Sequence, residues 1–442
     1  MKIQLSDHFN YAKLLRFTLP SIIMMIFTSL YSIVDGFFVS NIVGKTPFAA
    51  LNLIMPVIMI LGSIGFMFGA GGSALISKTL GEGENDKAQS LFSLLVYCTV
   101  IGGIVITILG FIFIRPIAAL LGAEGELLDN CVIYGRILLL SLPCYMLQFE
   151  FQSFFVTAQK PQLGLAVTLV CGVINMALDA LFMVAFSWGL AGAAAATAVS
   201  QVLGGIIPIL YFGRKNTSLL RLGKTKIDGK ALLKTCTNGS SELMSNISIS
   251  IVSMLYNIQL IKYAGENGIA AYGVLMYINM IFLAVFIGYS NGTAPVVSYH
   301  YGAANHMELK NLLKRSVVII GIFAVCMFVL AELLAQPLAK IFVSYDAELL
   351  KMTTRAFRIY SFSFLFSSIA VYGSSFFTAL NDGLTSALIS FLRSLLFQVA
   401  AVLILPVFLG IDGVWLSVVA AEFISALMTI IFLAVKKKQY HY

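Results

Sequence analysis

The stretch GGSALISKTLGEGENDKA (71–88) returns 221 residues later as GTAPVVSYHYGAANHMEL (292–309). Gly71/Gly292, Ser77/Ser298 and Gly81/Gly302 coincide under that shift. So do Pro116/Pro337, Gly189/Gly410, Gly192/Gly413 and Gln201/Glu422, while a shift of 222 relates Arg136 to Arg358 and Phe154-Phe155 to Phe376-Phe377. The chain is therefore two copies of one unit. Apolar runs broken by Gly, Pro and charge give spans near 14–40, 48–77, 89–114, 131–157, 162–187 and 190–212 in the first copy. The second copy has them near 235–263, 269–297, 312–335, 352–379, 384–408 and 413–435. Six spans per copy is an even number, so both copies enter the membrane with the same orientation. They are expected to be related by a pseudo-twofold axis along the membrane normal.

Composition supports a polytopic membrane protein of twelve transmembrane helices. Hydrophobic residues make up 59% of the 442 and charged residues 11%, with a mean hydropathy of +0.94. Soluble domains carry about 25% charged residues. The start, MKIQLSDHFNYAKLLR, is mixed in charge and precedes an apolar run too long for a cleaved signal, so the first helix is expected to stay. The six cysteines are scattered without a C-x-x-C pair, which argues against a disulfide framework or a metal site.

The net charge of +8 sets orientation rather than nucleic-acid binding. With the N-terminus inside, 19 of the 28 Lys and Arg fall in cytoplasmic segments, from Lys2, Lys13 and Arg16 to Lys436, Lys437 and Lys438. Both termini are expected in the cytoplasm. The polar stretch GRKNTSLLRLGKTKIDGK (213–230) reads as a cytoplasmic linker between lobes 1–212 and 231–442.

Two acids lie inside apolar helices without a basic residue in the same segment: Asp35 in SLYSIVDGFFVS (29–40) and Asp179 in VCGVINMALDALFMV (170–184). An ionised carboxylate at bilayer depth costs several kcal/mol unless it titrates, binds a cation or finds a partner. Asn175 stands four residues before Asp179 on the same helix face, and Thr197 follows in AGAAAATAVSQ (191–201), rich in small residues that permit close helix packing. Two carboxylates, an amide oxygen and a hydroxyl suit a hard cation or a proton. The shift of 221 turns Asp35 into Tyr256 and Asp179 into Ala400, so the acid pair exists only in the first copy.

Taken together, these features resemble the multidrug and toxic compound extrusion (MATE) family, and its DinF-like or MepA-like bacterial branch in particular. The resemblance rests on the two six-helix repeats, VDGFFVS around Asp35, the Gly-rich end of the second helix, FFVTAQKP (154–161) and the Asn-x-x-x-Asp of the fifth helix. It implies a drug antiporter with its cation or proton site at Asp35, Asn175, Asp179 and Thr197. Several branches keep an acid well inside the seventh helix; here the nearest is Glu242, at least one turn earlier, where it can also be an acid at the cytoplasmic mouth.

Further polar candidates for a cleft are Glu150, Gln152 and Arg393, with Gln148 and Gln398 as weaker ones. The bland readings are a salt-bridged structural acid for Glu150, and for Arg393 a counter-ion to Glu422 or Glu332. The 17 Met and 34 Phe suit adaptable apolar walls, and Pro20 lies where it can bend the first helix. The expected function is efflux of organic, mostly cationic amphipathic compounds in exchange for H⁺ or Na⁺. The chain is expected to work as a monomer in the bilayer, with small-molecule substrates, no organic cofactor and no nucleic-acid partner. A lipid-linked oligosaccharide flippase or a dedicated metabolite exporter is the alternative, the former needing a strongly cationic cleft. An intramembrane enzyme is disfavoured because His8, His300, His306 and His441 fall in termini or a loop. An ion channel is disfavoured by the lack of a filter-like repeat.

Overall fold

A computed structural model describes residues 3–43, 45–344 and 346–442, and the described residues are helical without a strand. Lys2, counted above among the cytoplasmic cations, lies outside them. The first half contains α1 (Tyr11–Ile42), α2 (Lys45–Gly81), α3 (Asn85–Leu120), α4 (Gly125–Thr157), α5 (Pro161–Asp179, continued by a π-helical turn Ala180–Ala185) and α6 (Gly189–Gly213). The second half opens with one long helix, Gly229–Gly302, broken at Gly265 into α7 (229–264) and α8 (266–302). Next come α9 (His306–Val343) and α10, a bent pair Ala347–Ser361 and Ser363–Ala379 at 47°. The last helical stretch, Gly383–Tyr440, breaks at Gly410 into α11 and α12. Among the described residues ten helices or bent pairs are long and apolar enough to cross a membrane. Two of the ten are double-length, which makes the twelve expected spans.

The breaks have a local cause. Gly265 and Gly410 take φ of +61° and +60° with ψ of −149° and −137°, a region that a side chain forbids. Gly189, the repeat partner of Gly410, also has a positive φ, of +56°. Starts are fixed by caps: Asn10 Oδ1 accepts from Lys13 N–H (2.8 Å), Asp228 from Lys230 and Ala231, and Asp382 from Thr385. α1 runs through Pro20 as one continuous helix.

Each half has its own buried core. Ile54, Leu138, Leu142 and Met146 form one in the first half, and Leu275, Phe357, Phe364 and Trp415 one in the second. The lobes meet through glycines. A methyl group on Gly81 would sit 2.0 Å from the Tyr299 carbonyl oxygen, and one on Gly302 would sit 2.0 Å from that of Lys78. Gly71 meets Thr235 and Gly239, and under the shift of 221 this becomes the contact of Gly292 with Thr18. The interface thus obeys the pseudo-twofold relation.

These contacts form a seal on one side of the molecule. Asn381, at the turn between α10 and α11, completes it by donating to the Ala74 carbonyl (3.3 Å) and accepting from Asn238 (2.7 Å). Both chain ends lie on that same side. Phe9 N–H bonds the Glu308 carboxylate at the start of α9 (2.9 Å), and Tyr440 packs on Tyr301 at 5.8 Å between ring centroids. The linker crosses the same side, where Gly223 N–H bonds Ser93 Oγ (3.0 Å).

Candidate functional site

The site grows from the contact of α1 with α5. Phe27, Tyr31 and Asp35 follow at intervals of four and share a face. Gly172 lets that face approach, since a methyl group there would lie 2.5 Å from the Phe27 ring and 3.1 Å from the Tyr31 ring. Asn175 and Asp179 continue α5 one and two turns beyond Gly172. The two helices therefore bring the Asp35 and Asp179 carboxyl groups against each other.

Asp179 is 0% exposed and Asn175 2%, whereas Asp35 is half-buried. Both Asp179 oxygens, Asp35 Oδ1 and Asn175 Oδ1 are buried without a hydrogen-bond partner. The carboxyl groups adjoin, but no hydrogen bond of good geometry links them. Two like charges this close and this dry cannot both persist without a proton or a cation between them. The π-helical turn starts directly after Asp179, with Phe186 N–H on the Leu181 carbonyl (3.0 Å), and such turns recur at functional sites.

Thr197 sits half-buried on α6 and makes no hydrogen bond to Asp179, whose two oxygens are unpartnered. The α5–α6 register is held instead by Ser200 Oγ donating to the Cys171 carbonyl (2.9 Å). Sequence reasoning missed two neighbours, Tyr31 of α1 and Tyr134 of α4, both within electrostatic reach of Asp35. Tyr31 was readable from its spacing of four before Asp35. Tyr134 comes from another helix and left no such mark.

The second lobe has a neutral link at the equivalent place. Tyr256, at Asp35's repeat position, is 1% exposed and donates to Gln398 Oε1 of α11 (3.0 Å). Its ring stacks on Tyr272 at 5.2 Å. Arg393, inside a second π-helical turn (Leu392–Leu396), donates to both Glu422 oxygens at 3.1 and 2.9 Å. Glu332 instead accepts from Ser361 (2.6 Å), so Glu422 is the counter-ion of Arg393. Glu242 of α7 is half-buried within electrostatic reach of Arg393.

Two expectations for the cleft need correction. Glu150 is 0% exposed, packed on α2 and α3, and neither carboxylate oxygen has a partner; it lines no open cleft in this conformation and forms no salt bridge among the described residues. Gln152 is also buried, its amide against a narrow cavity between α4, α5 and α6 that Gln148, Thr168 and Gly204 share. The reason is packing: every residue of α4 from Tyr145 to Gln152 is buried, so the polar side chains of that stretch do not reach an open surface. A cavity of about 620 Å³ opens beside Lys351, Arg355 and Arg358 of α10 and involves none of the acid-pair residues.

The repeats, the twelve spans and the buried acids define a two-lobe membrane transporter and not an enzyme. The MatE family profile matches residues 20–181 and again 243–404, and the chain belongs to that family. Among curated relatives, the multidrug export protein MepA of Staphylococcus saprophyticus is 26% identical over 424 residues, covering 95% of this chain and 93% of its own. Two solved structures share the fold at 22% identity and a TM-score of 0.93. One is described as the outward-facing conformation of a multidrug resistance MATE family transporter, the other as MATE in the straight conformation. In both cases the match covers 98% of this chain and 97% of the other.

Proposed function

We propose that this chain is a secondary-active exporter of organic, mostly cationic amphipathic compounds, driven by inward flow of H⁺ or Na⁺. The observation that carries the reading is the Asp35–Asp179 pair: adjoining carboxyl groups, buried oxygens without partners, and no cation bonded to them among the described residues. The name of the MepA relative, a multidrug export protein, supports export of drug-like compounds. Asp35 and Asp179 hold the coupling ion, Asn175 offers an amide oxygen, and Tyr31 and Tyr134 offer hydroxyl groups. Thr197 is a weaker member because it bonds neither Asp179 oxygen.

Residues 1–212 and 231–442 act as the two moving lobes, with 213–230 as the strap between them in the cytoplasm. On this reading the chain is a monomer of the cell membrane with both termini inside, and the glycine seal closes the cytoplasmic side. Rocking of the lobes then exposes the site to each side in turn. Ion and drug must favour different conformations for exchange to occur, and neutralising the acid pair removes its attraction for a cationic drug.

The flippase reading loses support because Arg393 is occupied by Glu422, leaving that position no free cation for a pyrophosphate. Efflux of lipophilic cations from proteoliposomes, under separately imposed pH and sodium gradients, tests the proposal. Stimulation by one gradient is expected. Gradient-independent movement, or no transport of any cation in a broad panel, would reject it.

A further inference from the structure

Among the described residues, Glu150 is the one wholly buried acid that the site above does not use. It sits on α4 where α2 passes so close that a methyl group on Gly69 would lie 3.0 Å from the Glu150 Cα. Thr99 and Cys98 of α3 face it, and Cys236 of α7 stands beside Cys98. Both Glu150 oxygens and Thr99 Oγ1 are buried without a hydrogen-bond partner.

The charged groups on the packed elements point elsewhere. Lys234 of α7 donates to the Asn381 carbonyl (2.7 Å), and Lys78 of α2 pairs with Glu82 (3.5 Å). The faces of α4 turned to α5 and α6 carry only neutral groups, Gln148, Gln152 and the Ser141–Gln201 bond (2.7 Å). An ionised carboxylate here would be buried with no cation beside it among the described residues and only the Thr99 hydroxyl near enough to donate, and such a group neutralises by taking up a proton.

The repeat shows that packing does not require an acid. The shift of 222 that superposes the Phe pairs carries Glu150 onto Tyr372, just as the shift of 221 carries Asp35 onto Tyr256. Tyr372 is likewise buried with its hydroxyl unpartnered. In both cases the second lobe fills the place with a tyrosine, and only the first lobe has a carboxyl group there.

The location connects this group to the movement of the lobes. The α2 turn that covers Glu150 is also the turn that forms the seal: the Met67 carbonyl meets Gly239, and Gly71 meets Thr235. Any separation of α7 from α2 would break these contacts, and Cys236 and Cys98 stand between that boundary and Glu150.

We propose that Glu150 is a second proton-binding group, neutral while the α2–α7 seal is closed and ionised when that seal opens. The proton then passes to water on the side of the chain termini. This goes beyond the function proposed for the acid pair and does not depend on it. Binding a proton only in the sealed state stabilises that state at low pH. As pH rises, the ratio of open to sealed molecules gains about tenfold per pH unit for each proton released.

The test uses the full chain in lipid nanodiscs, in an Asp35→Asn/Asp179→Asn background, so that failure of the acid-pair reading does not affect the result. The readouts are the infrared carbonyl band of a protonated carboxylic acid and the distance between spin labels across the α2–α7 seal over a pH series. Glu150→Gln is expected to remove one carbonyl band and lower the pH slope of opening by one proton. Glu150→Tyr, the repeat residue, gives the same two results should the Gln variant fold poorly. An unchanged band would show Glu150 ionised in the sealed state and overturn the proposal. A lost band with an unchanged slope would overturn its link to opening.

Discussion

A single methyl group should pry the lobes apart. In Gly71→Ala the new Cβ falls 2.1 Å from the Thr235 carbonyl oxygen and 2.7 Å from the Gly239 nitrogen. Both are backbone atoms, so no side chain can swing aside, and carbon contacts need about 3.5 Å. The helices must therefore separate by roughly 1 Å or more. Overpacking of this kind costs about 1–3 kcal/mol. Because the strain exists only in the sealed state, it moves the equilibrium toward the opposite state by about 5–150-fold. Gly102→Ala is the control: nothing lies within 4 Å of its Cβ, and a helical Gly→Ala change stabilises by about 0.5–1 kcal/mol. Spin-label distances across the α2–α7 seal in nanodiscs would read the shift. An unchanged distance distribution in Gly71→Ala, with the melting behaviour of Gly102→Ala, would refute the claim that this contact holds the lobes closed.

Further predictions concern the charges. Asp35→Asn and Asp179→Asn should each abolish gradient-driven efflux while thermal stability holds or rises, since each removes a costly buried charge; purified-protein melting and proteoliposome transport measure the two separately. Tyr256→Phe loses one buried hydrogen bond to Gln398, about 1 kcal/mol, and should leave ion coupling intact in the same assay. Glu422→Gln leaves the Arg393 guanidinium, whose side chain is 18% exposed, with an amide oxygen in place of its carboxylate, and should destabilise by about 1–3 kcal/mol in denaturant or thermal unfolding. Outside the membrane, burial alone would raise the Asp382 carboxyl, but hydrogen bonds from Thr385 and Tyr440 and the charge of Lys436 hold it below the usual carboxylate range. Its stabilising contribution is therefore present above the unfolded value and lost as pH falls through the folded one, and Asp382→Asn should flatten that acid limb of the stability curve.

The twelve spans were legible because long apolar runs and Gly/Pro breaks report directly on length and burial. The pseudo-twofold interface was legible because the repeat places Gly81 and Gly302 at equivalent positions, and each then meets the other's helix. Asp35 and Asp179 stood out as acids in apolar segments. What could not be read was which way α4 turns. Glu150 lies in a polar-looking run with Gln148 and Gln152, yet neighbours from α2, α3, α5 and α6 close over all three. Nor did helical spacing reveal Tyr134 beside the acids or the choice of Glu422 over Glu332 as partner of Arg393. Those depend on the relative rotation of helices far apart in sequence.

The central claim is that the Asp35–Asp179 pair exchanges its ion for a cationic substrate. Its most direct test is equilibrium binding of a lipophilic cation such as ethidium to the purified protein, titrated against pH and against sodium. The account predicts that affinity for the cation weakens as the coupling ion, H⁺ or Na⁺, is raised. In Asp35→Asn and Asp179→Asn the dependence on that ion should fall sharply, leaving at most the pH response of Glu150. The same ion dependence in wild type and both variants would contradict it.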